Sequence, residues 1–223
     1  VHLIPGEEML ASMFRNIEIL EEEVIRNPED PRPIYYLAKA YFDTRLPELL
    51  YEPAGKGLES IVIELIKDYI RKSGWAEERA QAWEYLSMIY REMNDMKNGI
   101  VCLLEALTEN PLFTSTYIQL ALCYVNIKDW GKALHWVKLA GKVEIPKTTL
   151  VLNPRDYKSM ILEALFHIYL NTGQLELCQK VATGLNEILP NDVNKERVVM
   201  ISDLKHRNDM ARWTLKLANH LKD

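Results

Sequence analysis

The stretch AWEYLSMIYREMND, residues 82–95, decides how the rest of the chain is read. Trp83, Leu86, Ser87 and Tyr90 fall three, one and three residues apart, and a polar turn follows. At this spacing the large residues share one face of a helix. An isolated amphipathic helix has no need of a small residue held between a Leu and a Tyr. A helix that accepts a close neighbour does.

The pattern recurs. Laying residues 80–113 over 114–147 pairs Trp83 with Tyr117, Leu86 with Leu120, Ser87 with Ala121 and Tyr90 with Tyr124. Further along, Asp95 meets Asp129, Gly99 meets Ala133 and Ala106 meets Ala140. A third copy fits 159–192 through Leu162, Leu165, Phe166, Tyr169, Gly173, Cys178, Ala182 and Pro190, which matches Pro111. A fourth opens at 31 with Ile34, Leu37, Ala38 and Tyr41. Unrelated amphipathic helices would not repeat in register at every one of these positions.

Self-similarity at a period of 34 residues, with a large residue, Leu, a small residue and Tyr on a first helix and small residues on a second, resembles the tetratricopeptide repeat (TPR) family over nearly the whole chain. The resemblance implies an all-α fold, a right-handed α-α superhelix of antiparallel helix pairs closed by capping helices. Each pair leaves an apolar stripe that only a neighbouring pair can bury. The small residues Ser87, Ala121, Gly99 and Ala133 are then expected at close helix contacts. Asn94-Asp95, Lys128-Asp129 and Thr172-Gly173 are expected to break the first helices, and Pro111 and Pro190 to end the second ones.

The expected organisation is one helical domain over 1–223. It comprises an N-terminal helix within 1–28, a decorated repeat at 31–79, and repeats at 80–113 and 114–147. An insert at 148–158, a repeat at 159–192 and C-terminal capping helices at 193–223 complete it. About eleven helices result. The first, over 7–27, is acidic and ends at Asn27-Pro28. The segment TRLPELLYEPAGKGLES reads as a long loop before a helix at about 58–73. The insert TTLVLNPRDYK holds an apolar run, Leu150-Val151-Leu152, and a turn at Asn153-Pro154. Residues 192–221 read as two helices that break near Lys205-His206-Arg207-Asn208.

A second resemblance is more specific. RNIEILEEEVIRNPEDPRPIYYLAKAYFD (15–43), SGWAEERAQAWEYLSMIYREMND (73–95) and LVLNPRDYKSMILEALFHIYLNTGQLELC (150–178) are similar to the TPR segment that follows the catalytic domain in many family 2 glycosyltransferases. That similarity implies a C-terminal appendage of a nucleotide-sugar-dependent transferase. The family's Asp-x-Asp metal site and catalytic base belong to a domain outside this sequence, so no catalytic residue carries over. The chain also starts without an initiating Met, which points to a piece of something longer. A free-standing peptide-binding TPR adaptor is the alternative reading.

Chemistry of its own is not expected. The sequence holds no G-x-S-x-G, H-E-x-x-H, P-loop or G-x-G-x-x-G pattern and no Asp-x-Asp. His2, His135, His167, His206 and His220 fall on different elements. Cys102, Cys123 and Cys178 are widely spaced and sit in apolar helical patterns, where a free thiol acts as a small hydrophobe. Neither a metal, a cofactor nor a disulfide framework is called for, and reduced thiols fit a cytoplasmic location. The N-terminus does not read as a signal peptide, and no apolar run approaches the roughly 20 residues of a membrane span.

Over 223 residues the chain has 48% hydrophobic and 26% charged residues and a net charge of −5, which disfavours a nucleic-acid surface. The charge is uneven: residues 1–31 hold eight acids against Arg15 and Arg26, and residues 195–223 hold seven Lys or Arg against four acids. Solvated helix faces account for this as readily as partner steering does.

The expected partner is a protein or peptide, with a glycan acceptor or a fused glycosyltransferase domain as further candidates. In TPR arrays the concave face is lined by first-helix positions that point away from the second helix. Here those are Tyr35, Lys39 and Phe42; Glu84, Met88 and Arg91; Ile118, Leu122 and Asn126; and Glu163, His167 and Asn171. Lys39 and Arg91 would favour an acidic group on the partner. The Lys and Asn with which some TPR adaptors clamp a terminal carboxylate are replaced by Tyr35 and Lys39, and in the 114–147 repeat by Ile118 and Leu122, so a chaperone tail is disfavoured.

Overall fold

The computed structural model describes residues 5–44, 58–144, 148 and 157–220. Among the described residues there are ten helices and no strand. They fall into two compact units that divide between Pro111 and Leu112.

The first unit holds α1 (Pro5–Arg26), α2 (Pro31–Thr44), α3 (Leu58–Lys72), α4 (Ala76–Glu92) and α5 (Met96–Glu109), each packed on the next. Its core joins Ile34 and Ala38 of α2, Val62 and Ile66 of α3, and Leu86 and Ile89 of α4. The second unit holds α6 (Thr114–Asn126), α7 (Trp130–Ala140), α8 (Ser159–Asn171), α9 (Leu175–Ile188) and α10 (Asp192–His220). There Ala121, Ala133, Val137, Ala164 and Ile168 form one apolar cluster, and Phe166, Cys178, Ala182 and Ile201 another.

The 34-residue period is written into the backbone. Asn94, Lys128 and Gly173, equivalent in the three copies, all adopt left-handed φ values of 61°, 60° and 69°. In each, the following amide bonds back to the repeat's tyrosine carbonyl: Asp95 to Tyr90 at 2.7 Å, Asp129 to Tyr124 at 2.9 Å and Gln174 to Tyr169 at 2.9 Å. This six-to-one bond closes the first helix and satisfies a carbonyl it would otherwise orphan. Asp95 and Asp129 then cap the second helices, accepting from Asn98 N and Lys132 N at 3.1 Å each.

The expected small-residue slots are closed. Ser87, Ala121 and Ala133 have no exposed surface, and Gly99 is buried. A Cβ on Gly99 would lie 2.8 Å from Arg91 Cγ and 3.4 Å from the Ser87 carbonyl, so α4 and α5 meet there at backbone distance.

The junction between α3 and α4 explains the sequence SGWAEER. Ser73 donates its hydroxyl to Tyr69 Oη at 2.9 Å, and Tyr69 in turn donates to the buried Glu78 carboxylate at 2.5 Å. Arg79 forks onto Glu109 at 2.9 and 2.6 Å and reaches the Ser73 carbonyl at 2.7 Å. A bidentate, partly buried pair of this kind fixes both angle and register. The motif is therefore a structural lock joining α3, α4 and the end of α5.

One expectation is corrected. Residues 192–220 form a single helix rather than two, so the described helices number ten instead of about eleven. Lys205-His206-Arg207-Asn208 contains neither Gly nor Pro and continues the helix. The helix expected at about 58–73 is α3, which runs from Leu58 to Lys72. Residues 45–57 and most of the insert at 148–158, including the Leu150–Leu152 run, lie outside the described residues.

Candidate interaction surface

In the first unit, α2 and α4 bring aromatic side chains together. Phe42 and Tyr85 pack with ring centroids 5.3 Å apart, and Tyr35 lies 6.5 Å from Tyr85, 5.7 Å from Tyr36 and 4.8 Å from Tyr69. Tyr35 is buried and donates its hydroxyl to Gln81 at 3.2 Å. Burial, then the neighbouring Tyr85 and Glu78, raise its pKa, so it remains a neutral phenol. It forms the floor of the patch. Phe42 and Tyr85 are half-buried above it and Tyr36 is exposed.

Charge rims this patch. Lys39 is exposed, while burial raises the Asp43 carboxyl and Lys39 opposes that shift. Burial also raises the Tyr85 phenol, with Asp43 and Glu84 adding to it. Glu84 and Met88 are half-buried on α4. Arg91 takes a direction the periodicity did not foretell. Its stem lies over Gly99, and its Nε is 3.4 Å from the Ser87 carbonyl, so it is turned against α5 rather than away from it. Of the two cations expected to favour an acidic partner, Lys39 is exposed and Arg91 half-buried.

In the second unit, Ile118 is buried, Leu122 half-buried and Asn126 exposed on α6. On α8, Glu163 is half-buried and His167 and Asn171 are exposed, with Asn171 Nδ2 donating to the His167 carbonyl at 2.8 Å. Neighbouring protein and the Arg197 charge hold the His167 imidazole below its ordinary range, against the pull of Glu163. Arg197, from α10, stacks 5.1 Å over the Phe166 ring and donates to the buried Asn194 at 2.9 Å.

The sequence missed Tyr36, Tyr85 and Arg197. Tyr36 had a signal in the Tyr35-Tyr36 pair. Tyr85 occupies a place held by Gln119 and Ala164 in the other copies, and Arg197 lies beyond the repeats.

Among the described residues no group of His, Cys, Asp or Glu could hold a metal ion, and no helix is long and apolar enough to cross a membrane. Cys102 and Cys178 are buried thiols, each pushed up to about 11 by burial. What such a surface can do is hold an apolar or aromatic group against clustered rings and pair polar groups at the rim.

No protein-family model and no curated protein matches the chain. Solved structures do. The chain is similar to the C-terminal part of a TPR repeat-containing protein from Cytophaga hutchinsonii (11% identity, TM-score 0.66, covering 91% of this chain and 71% of that one). It is also similar to TTC0263, a thermophilic TPR protein of Thermus thermophilus (19% identity, TM-score 0.52, covering 88% and 94%). A third is MamA (15% identity, TM-score 0.56, covering 93% and 99%). At these identities the shared feature is the fold: all-α, of the TPR type.

Proposed function

We propose that the chain is a non-catalytic interaction module that holds a protein segment along its first-helix faces, with the α2–α4 patch as the principal anchor. The observation that carries this reading is the aromatic cluster in which the Phe42 and Tyr35 rings each lie tilted against Tyr85, with the buried Tyr35 as its floor. Aromatic residues dominate binding energy where they sit in packed surroundings with a polar rim. Lys39 and Glu84 supply the rim. The partner segment is expected to present an apolar or aromatic side chain flanked by polar groups.

The test is selection from a random peptide library displayed on phage, followed by calorimetric titration of the enriched peptides. Tyr85→Ala and Phe42→Ala should each weaken binding by about tenfold, the equivalent of about 1.4 kcal/mol. Selected peptides that bind both variants as they bind wild type would place the surface elsewhere.

Attachment to a glycosyltransferase rests on the sequence resemblance over 15–43, 73–95 and 150–178. The coding sequence upstream of Val1 tests it. A nucleotide-sugar-binding domain with an Asp-x-Asp metal site supports the appendage reading, and its absence leaves the adaptor.

A further inference from the structure

The helices alternate as first and second members of pairs, which makes α10 a first helix and α1 a second one. Among the described residues, neither has the partner that would complete its pair. α10 packs on α9 through Ile201, Val198 and Leu204, and away from that contact Val199, Met210 and Trp213 are 60%, 49% and 60% exposed. α1 packs on α2 near Ile17 and Val24, and beside that contact Phe14 and Ile25 are 47% and 81% exposed. Large side chains left this open on two helices are more than isolated surface hydrophobics.

The two stripes match. Ala11, Phe14, Glu18, Glu22 and Ile25 are spaced three, four, four and three residues apart, and so, read backwards, are Trp213, Met210, His206, Ser202 and Val199. All ten are exposed. Laid antiparallel, as first and second TPR helices lie, the helices set Phe14 on Met210 and Ile25 on Val199, with Glu18 beside His206 and Arg207. At the end of the stripe the small Ala11 leaves room for the Trp213 indole, the same pairing of small with large that the repeats use inside the array. The charges also agree: α1 carries six Glu against Arg15 and Arg26, and α10 carries six Lys or Arg against four acids. Asp203 falls near Glu21 and Glu22 in this register, a local like-charge contact that the surrounding pairs must outweigh.

We infer that the chain associates head to tail with a second copy of itself, the α1 of one copy docking antiparallel on the α10 of the next to complete its helix pair. The contact is heterologous, so the assembly keeps one free face of each kind, an α1 at one end and an α10 at the other, for further copies. Charge guides the encounter and the apolar stripe holds it.

Sedimentation equilibrium at low salt tests this with wild type, Phe14→Asp and Met210→Asp. Wild-type mass rises above the monomer with concentration and falls back at high salt as the charges are screened. Each variant alone stays monomeric. An equimolar mixture of the two, in which one copy keeps an intact α10 and the other an intact α1, reaches twice the monomer mass. Both positions are exposed, and unchanged helical circular dichroism shows that loss of mass is not loss of fold. A monomeric wild type at its highest soluble concentration, a single variant that associates like wild type, or a mixture that stays monomeric each overturns the inference.

Discussion

Gly99 offers a sharp test of the packing, because the repeats themselves supply its control. A Cβ placed there meets Arg91 Cγ at 2.8 Å, too close for any stable contact, and the Ser87 carbonyl at 3.4 Å. In the next copy the equivalent residues are Ala133 and Val125, and Ala133 is fully buried without conflict. Gly to Ala inside a helix contributes about 1 kcal/mol from propensity. Displacing the Arg91 stem loses packing of two or three methylenes at about 0.8 kcal/mol each, so about 2 kcal/mol. Gly99→Ala alone should therefore destabilise by about 1 kcal/mol. In an Arg91→Val background the same change should stabilise by about 1 kcal/mol, a coupling of about 2 kcal/mol. Urea unfolding of the four proteins, followed by helical circular dichroism, reads this from the midpoints. A Gly99→Ala that stabilises equally in both backgrounds would refute the assigned contact.

Other repeat comparisons give further outcomes. Lys128 sits at φ 60° where Gly173 serves the third copy, so Lys128→Gly should raise stability by about 0.5–1 kcal/mol and shift the thermal midpoint upward. Gly173→Ala, with nothing within 4 Å of its new Cβ, should cost about 1 kcal/mol from backbone strain alone. The Ser87 hydroxyl is buried without a partner where the second copy has Ala121, so Ser87→Ala should stabilise by about 1 kcal/mol in the same unfolding assay. The Lys132 amide, and then its side chain, hold the Asp129 carboxyl below its usual range. Its contribution to stability is thus complete above the ordinary Asp range and fades as pH falls through the lower folded value, a segment of the acid limb that Asp129→Asn should lack. With thiols at about 11, Cys102 and Cys178 are about one part in a thousand ionised at pH 8. Their alkylation should proceed only at the rate of opening, and prompt labelling of native protein would contradict their burial.

The repeat was legible because its residues have no other reason to recur. Small side chains at Ser87, Ala121, Gly99 and Ala133 make sense only as slots, and all four are buried. Position rather than residue type located the left-handed turn of the middle copy, since Lys128 carries no turn signal. The single α10 was misread because a polar run lacks apolar periodicity, yet nothing in it breaks a helix. Side-chain direction was the harder matter. Arg91 follows Gly99, a feature of another helix, and the generic repeat supplies no such detail. Tyr85 joins the patch only because α2 and α4 bring it to Phe42, and in the other unit Arg197 meets Phe166 only because α10 returns over α8. Tyr35 and Ile118, expected on the partner-facing side from periodicity, are buried.

The most direct test of the binding reading is photo-crosslinking of a library-selected peptide, carrying a benzophenone in place of its apolar anchor, to the intact chain. Mass spectrometry is expected to find the crosslinks on α2 and α4, at Tyr36, Lys39, Phe42 or Tyr85, and Tyr85→Ala to remove most of them. Crosslinks confined to second helices, such as α3, α5 or α7, would contradict it.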